Sequence, residues 1–335
     1  MRTLGWEESP DEAPLHHAVG EGPGEGVSTL KIGVSLTTSF PRSLDARTAG
    51  RQLVERAAAI RAAGLDSLFV GDHHATAGHY FQNVPTLGRL LAETDGMTAG
   101  ALFLAPLHHP VLMAEQVGTL AALAQGPFVL VMAAGDGEEQ FAPFGVPLKQ
   151  RPSRLEEHLT IVRRLLAGET LSHEGRYHRL HDVSISPVPP EPVPIWIGAS
   201  ARPALERAAA LGDGWLAAPG AAGEELATAA TIYRQAATHA GRAPLLTIRR
   251  DVYIGESDAE AEEAVAPVLA RGYRGFGRES LLVGSPATVV DGLRELRELG
   301  FEHVLVRHIV PQQELVLASY RRLGAEVLPA VRGLT

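Results

Sequence analysis

The chain contains no cysteine. Disulfide bridges, thiolate metal sites and a cysteine nucleophile are therefore excluded, which suits a cytoplasmic protein. Positive charge is also short: 30 Lys and Arg stand against 39 Asp and Glu, a formal charge of −9. Nucleic-acid binders and membrane-surface proteins usually present a basic patch, so neither kind of partner is expected. No long apolar run occurs near the N-terminus. Residues 1–29 instead collect Gly5, Pro10, Pro14, Gly20, Gly22, Pro23, Gly24 and Gly26 among acidic residues, which reads as a flexible tail and not as a signal peptide or anchor. His16 and His17 fall in this tail and are discounted as ligands.

What is present is an alternation of short apolar strands and helices. Strands are expected at 30–36, 67–70, 97–104, 128–133, 195–197, 214–217, 245–254 and 303–307. Helices are expected at 46–63, 85–93, 111–124, 202–211, 224–240 and 287–299. Ser153-Arg154-Leu155-Glu156 and Ser257-Asp258-Ala259-Glu260 have capping-box spacing, the first opening a helix to about Ala167, and Ser285-Pro286 marks a further helix start. Eight strands, nearly all separated by helices, make residues 30–335 one α/β domain, a single (β/α)8 TIM barrel with insertions. A doubly wound open sheet would usually follow its first strand with a glycine-rich dinucleotide loop, and Val34-Ser35-Leu36-Thr37-Thr38 is not one. No repeat of 20–50 residues is visible.

In a closed parallel barrel the strands' C-terminal ends open onto the active-site face. The residues there are Thr37, Thr38, Asp72, His73, His74, Ala105, Gly135, Asp136, Glu138, Gly198, Ala199, Ser200, Ala218, Arg307 and His308. The stretch from Gly64 to His74 organises the rest, because an apolar strand runs directly into Asp72-His73, an ionisable pair suited to proton transfer at neutral pH. Gly198-Ala199-Ser200 leads into a helix, where free backbone N–H groups and the helix dipole converge on a phosphate; an ordinary N-cap serine is the competing reading. No metal site is expected. The chain has 14 His, but there is no His-x-His on the first strand and no His-Glu-x-x-His helix, and the adjacent pairs His73-His74 and His108-His109 point their side chains opposite ways. Gly-x-Ser-x-Gly is absent too, which removes a serine hydrolase.

Several segments, in their order and spacing, resemble the bacterial luciferase-like monooxygenase family over about residues 30–311. They are 30–41, 64–76, His109-Pro110, Phe144-Gly145-Val146-Pro147 with Arg151 and Glu156, Gly175-Arg176-Tyr177, 194–200, Gly212-Asp213-Gly214-Trp215, and Gly284-Ser285-Pro286 followed by Leu299-Gly300. The resemblance implies a TIM barrel that binds reduced FMN, or in a sister branch the deazaflavin coenzyme F-420, at the strand C-terminal face. It places His73 beside the reactive ring with Asp72 as its acidic neighbour, and Ser200, with Gly198 and Ala199, at the cofactor phosphate. It aligns Leu102-Phe103 with a strand-three bulge that supports the ring and often carries a non-prolyl cis peptide. The chain departs from the family at Ala124-Gln125-Gly126-Pro127, where Ser-x-Gly-Arg is usual, and at Ala134-Gly135, where luciferase has a phosphate-binding arginine before the glycine. Arg202 or Arg151 is the substitute to look for. Asp136 falls where the deazaflavin sugar-phosphate dehydrogenases have a catalytic glutamate, and is either a general acid or a solvated loop carboxylate.

Two enzyme readings follow. In the favoured one, reduced FMN from a separate reductase reacts with dioxygen and a small organic substrate is oxygenated, because the Phe144–Pro147 and Gly198–Ser200 segments resemble that branch slightly more. In the other, F-420 carries a hydride and dioxygen has no part. A third reading, motivated by the missing arginine, is a non-catalytic flavin-binding protein. The resemblance also implies a homodimer through the 46–63 and 111–124 helices. Leu102, Phe103, Leu107, Phe141 and Phe144 are the candidates for an apolar substrate pocket, with His79, His108, His109 and Arg307 as polar contacts.

Overall fold

The computed structural model describes residues 29–333, so the expected N-terminal tail, apart from Thr29, lies outside the described residues. Eight parallel strands form the barrel: β1 (Lys31–Leu36), β2 (Ser67–Val70), β3 (Thr98–Leu104), β4 (Phe128–Ala133), β5 (Ile195–Ala199), β6 (Gly214–Ala217), β7 (Leu246–Ile254) and β8 (His303–His308). Each pairs in parallel with the next, and β8 pairs with β1 to close the ring. Around it lie α1 (Ala46–Ala62), α2 (Asn83–Leu90), α3 (Pro110–Leu123), α4 (Arg151–Leu166), α5 (Arg202–Leu211), α6 (Gly223–His239), α7 (Asp258–Leu269), α8 (Pro286–Glu298) and α9 (Gln313–Arg322). None of the described helices is long and apolar enough to cross a membrane.

Side chains alternate along each strand between two cores. Phe69, Val129, Val131, Trp196 and Leu305, from four different strands, pack together inside the ring, with Leu102 and Leu216 against them. Their strand neighbours Leu68, Leu130, Ile195, Ile197, Val304 and Val306 join the outer core beneath the helices. Phe69 and Trp196 stack inside at 5.3 Å between centroids. That stack needs Gly100, since a Cβ there would stand 2.1 Å from the Phe69 ring. Below it Ser67 Oγ bonds His303 Nε2 at 2.8 Å and seals the N-terminal end of the barrel.

Ser257 caps α7 by accepting from Glu260 N at 3.2 Å, and Ser285 caps α8, as their spacing implied. Ser153 does not cap α4. The helix starts at Arg151, two residues earlier, because Pro152 is already set for the first turn; Ser153 Oγ instead donates to Gln150 O and bonds the Tyr177 hydroxyl at 2.7 Å. Three pairings were not expected from the sequence: Ser39–Phe40 against His79–Tyr80, the antiparallel pair Leu171–Glu174 and Arg179–Val183, and Leu281–Gly284 added to β7 beside the closed ring.

Candidate active site

A cavity of about 730 Å³ opens at the C-terminal ends of the strands. His73, which follows β2, and Ser200, which follows β5, both line it, so the barrel brings together the two groups that the sequence separates by more than a hundred residues. Asp72, Leu102, Ala134, Gly135, Asp136, Gly198 and Ala199 line it as well.

Asp72 is buried, and its carboxylate faces the end of β3. Oδ2 accepts from Leu104 N at 2.9 Å and from His108 Nε2 at 2.7 Å, while His74 Nε2 stands 3.0 Å from Oδ1. Burial pushes the Asp72 pKa up, but the hydrogen bonds from His108 and His74 outweigh it and hold the carboxyl below its ordinary range. Asp72 is thus an ionised anchor for β3 and for the loop that carries His73, a positioning group more than a reacting one. Asn83 Nδ2 anchors the same strand by donating to Leu102 O at 2.7 Å. Asp72, His74 and His108 bring three donors of metal-ligand type within 4.8 Å of one another. This cluster was not legible in the sequence, because its second histidine, His108, comes from the turn after β3 and not from the adjacent pair.

His73 is half-buried and faces the cavity, its ring 5.6 Å from that of Tyr80. Burial, then the positive charge of Arg274 and the neighbouring His74, push its pKa below the ordinary histidine value. The imidazole is therefore neutral near pH 7 and able to take a proton.

Across the mouth, Ala201 and not Ser200 is the N-cap of α5, and no side chain caps that helix. The N-cap reading of Ser200 fails; Pro203 has no N–H and Ala204 N donates to Ala201 O at 2.8 Å, which leaves Arg202 N of the first turn to meet an anion. Trp215 Nε1 donates to Ala199 O at 2.9 Å and fixes the loop. Arg151 and Arg207 line this side, Arg151 3.7 Å from Asp136 and Arg207 paired with Glu156. Arg202 does not line the cavity and pairs with Glu206. Asp136 stands at the rim with its side chain 87 % exposed, closer to a solvated loop carboxylate than to a buried acid.

Other expectations are corrected. Phe103 is fully buried, stacks edge-on against His108 and points away from the cavity, because its neighbour Leu102 takes the inward position. β3 pairs with β4 in unbroken register over Ala99–Leu104, and the one cis peptide among the described residues is Ser186–Pro187, so the Leu102–Phe103 bond is trans. Leu107 and Phe141 pack with Leu104 in a separate small core, and Phe144 lies on His74. His79 bonds Leu44 O, His108 is held by Asp72, and His109 Nδ1 accepts from Val111 N at the start of α3. Of the four polar contacts expected, Arg307 lines the cavity. Sequence reasoning missed Tyr80, Arg207, Arg249 and Arg274. Arg249 had a signal: a charged run, Arg249-Arg250-Asp251, inside a mostly apolar strand. Arg274 had none.

The floor fits a flat tricyclic ring. Ala133, Ala134, Gly135, Gly198, Ala199, Ala217 and Ala218 keep it low, and a Cβ on Gly198 would meet that of Ala133 at 3.3 Å. A phosphate has the α5 N-terminus, Ser200 and two arginines to meet.

The luciferase-like monooxygenase family model matches residues 30–277. The F420-dependent glucose-6-phosphate dehydrogenase of Intrasporangium calvum is 28 % identical over 325 residues, 85 % of this chain and 96 % of that one. The enzyme of the same name from Beutenbergia cavernae is 34 % identical over 189 residues, 54 % of this chain and 56 % of its own. The crystal structure of monooxygenase RslO1 from Streptomyces bottropensis superposes with a TM-score of 0.81 at 22 % identity, covering 90 % of this chain and 99 % of that one, a likeness of fold. With its closed barrel, its chamber at the strand ends and a family match across most of its length, the chain belongs to the luciferase-like monooxygenases and is an oxidoreductase of the flavin- or deazaflavin-dependent kind.

Proposed function

We propose that the protein is a deazaflavin-dependent oxidoreductase that moves a hydride between coenzyme F-420 and a small organic substrate. The observation that carries this is His73, a neutral imidazole facing the cavity and kept neutral by burial and by Arg274. The reading departs from the reduced-FMN monooxygenase that the Phe144–Pro147 and Gly198–Ser200 segments favoured. The F420-dependent name of a relative aligned over 85 % of the chain supports the change.

Bound deazaflavin supplies a two-electron hydride acceptor. Everything else falls to the chain. Ser200 and the uncapped start of α5 would hold the phosphate, with Arg151 or Arg207 in place of the arginine lacking at Ala134. Leu102, held in place by Asn83 and Asp72 acting on β3, would give the ring an apolar contact. As a substrate alcohol gives up its C–H hydride, its O–H proton passes to His73; in the reverse direction His73 returns it to the carbonyl oxygen. Phe69, Val131 and Leu305 keep the floor apolar and water out.

The test is turnover of oxidised F-420, followed by its loss of fluorescence, with a panel of alcohols that includes glucose 6-phosphate. At least one should reduce the cofactor, and His73→Ala should slow that reaction by on the order of 100-fold while F-420 still binds. Oxygen uptake with reduced FMN, and no F-420 turnover on any member, would return the reading to a monooxygenase.

A further inference from the structure

One side of the cavity is built for negative charge and has no part in holding the cofactor as described above. Arg249 on β7, Arg307 on β8 and Arg274 on the 270–277 loop all line it, with Tyr80 beside them. Arg249 Nε donates to Asp251 Oδ1 at 3.0 Å, and Asp251 Oδ2 accepts from the Tyr273 hydroxyl at 2.6 Å. Asp251 is fully buried and lies opposite Arg307 in the strand register. One carboxylate therefore faces three guanidinium groups.

The donors are not used up. Arg249 Nη2 is buried without a hydrogen-bond partner. The Arg307 Nε donates to Thr37 Oγ1 at 3.2 Å, and the Arg274 guanidinium lies 5.3 Å from the Phe276 ring centre, with no carboxylate paired to either. Burial pulls the Arg249 pKa down to about 10, which leaves it charged at neutral pH. Arg274 sits at φ 51°, a left-handed conformation that a non-glycine residue rarely takes and that its surroundings must hold. A chain of formal charge −9 lines this cavity with five arginines and two carboxylates, against its overall balance. A buried donor left without a partner is destabilising, and an anionic ligand would satisfy it.

The position matters as much as the charge. β7 and β8 stand two and three places around the ring from β5, where the cofactor phosphate is assigned, so the three arginines answer a second anion. Between the two lies the apolar floor of Phe69, Leu102, Val131, Leu216 and Leu305.

We infer that Arg249, Arg274 and Arg307 form an anion subsite for the substrate, which is an alcohol or carbonyl compound carrying a phosphate or carboxylate group. The inference rests on the hydride-transfer reading for the redox class and on the arginines for the charge. In the oxidative direction the substrate's C–H bond breaks with its electron pair going to F-420, its O–H proton goes to His73, and a carbonyl forms. The anion, held at β7 and β8, is unchanged.

Calorimetric titration of the apo and F-420-loaded protein, with inorganic phosphate and separately with acetate, tests this. One of the two anions should bind in both states. Arg274→Gln should weaken it about tenfold, and F-420 affinity should stay within about twofold. Arg274 lies on an exposed loop, so this variant remains informative if Arg249→Gln fails to fold. A preference for phosphate assigns a phosphate ester, and a preference for acetate a carboxylic acid. Absence of binding by either anion overturns the subsite. So does an anion displaced by F-420 together with loss of F-420 affinity in Arg274→Gln, which would give the arginines to the cofactor. Anion binding without any F-420 binding supports the subsite and overturns the cofactor reading instead.

Discussion

At the scale of single residues, the proposed proton transfer turns on the charge environment of His73. Burial and the cation of Arg274 both disfavour its imidazolium, so its folded pKa lies below the ordinary value of about 6.5. A general base with a lowered pKa stays unprotonated further into acid. The acid limb of kcat/KM for substrate oxidation should therefore fall below pH 6.5, and Arg274→Gln, by removing a positive charge, should move that limb upward. A pH profile of the two proteins checks this, and a limb that moves down or stays in place would speak against it. The place of His73 at the cavity was legible in the sequence because it directly follows an apolar strand whose C-terminal end opens onto that face. Phe103 was misread because β3 is apolar on both faces, so nothing in Leu102-Phe103-Leu104 reveals which residue points inward. Arg274 sits among glycines in a loop, where a sequence carries no address.

At the scale of elements, the barrel strands were legible nearly to their ends, since parallel strands buried on both faces read as continuous apolar runs. The pair Leu171–Glu174 and Arg179–Val183 escaped because it is mostly exposed and polar, with no alternation to mark it. The 270–277 loop is the element on which the proposed anion subsite depends. Its Tyr273 hydroxyl donates to buried Asp251 at 2.6 Å, and the bond should contribute about 1.5–3 kcal/mol to holding the loop down. Tyr273→Phe should accordingly open it more often, and trypsin should cut at Arg271 or Arg274 about tenfold faster than in the wild type. Equal cleavage rates would mean that the loop is held by something else.

At the scale of the whole molecule, three buried histidines make the fold sensitive to acid. His158, His303 and His308 each have a pKa pulled down to about 3, chiefly by burial, helped by His178, Lys31 and Arg56 respectively. Between that value and 6.5 the unfolded chain binds protons that the folded one refuses, so stability is full above pH 6.5 and is lost as the pH falls toward 3. At pH 5 each histidine should cost about 2 kcal/mol, and the three together approach the total stability of an ordinary domain. The urea midpoint should drop sharply between pH 7 and pH 5; an unchanged midpoint would show that these imidazoles are not held neutral. The same fold sets its chamber at the strand ends, with the start of α5 on one side and His73 on the other. The most direct measurement on that chamber is a binding titration of the purified protein with F-420 and with reduced and oxidised FMN. F-420 should bind at least about tenfold more tightly than either form of FMN. Tight binding of reduced FMN, with F-420 weaker or absent, would contradict the deazaflavin assignment.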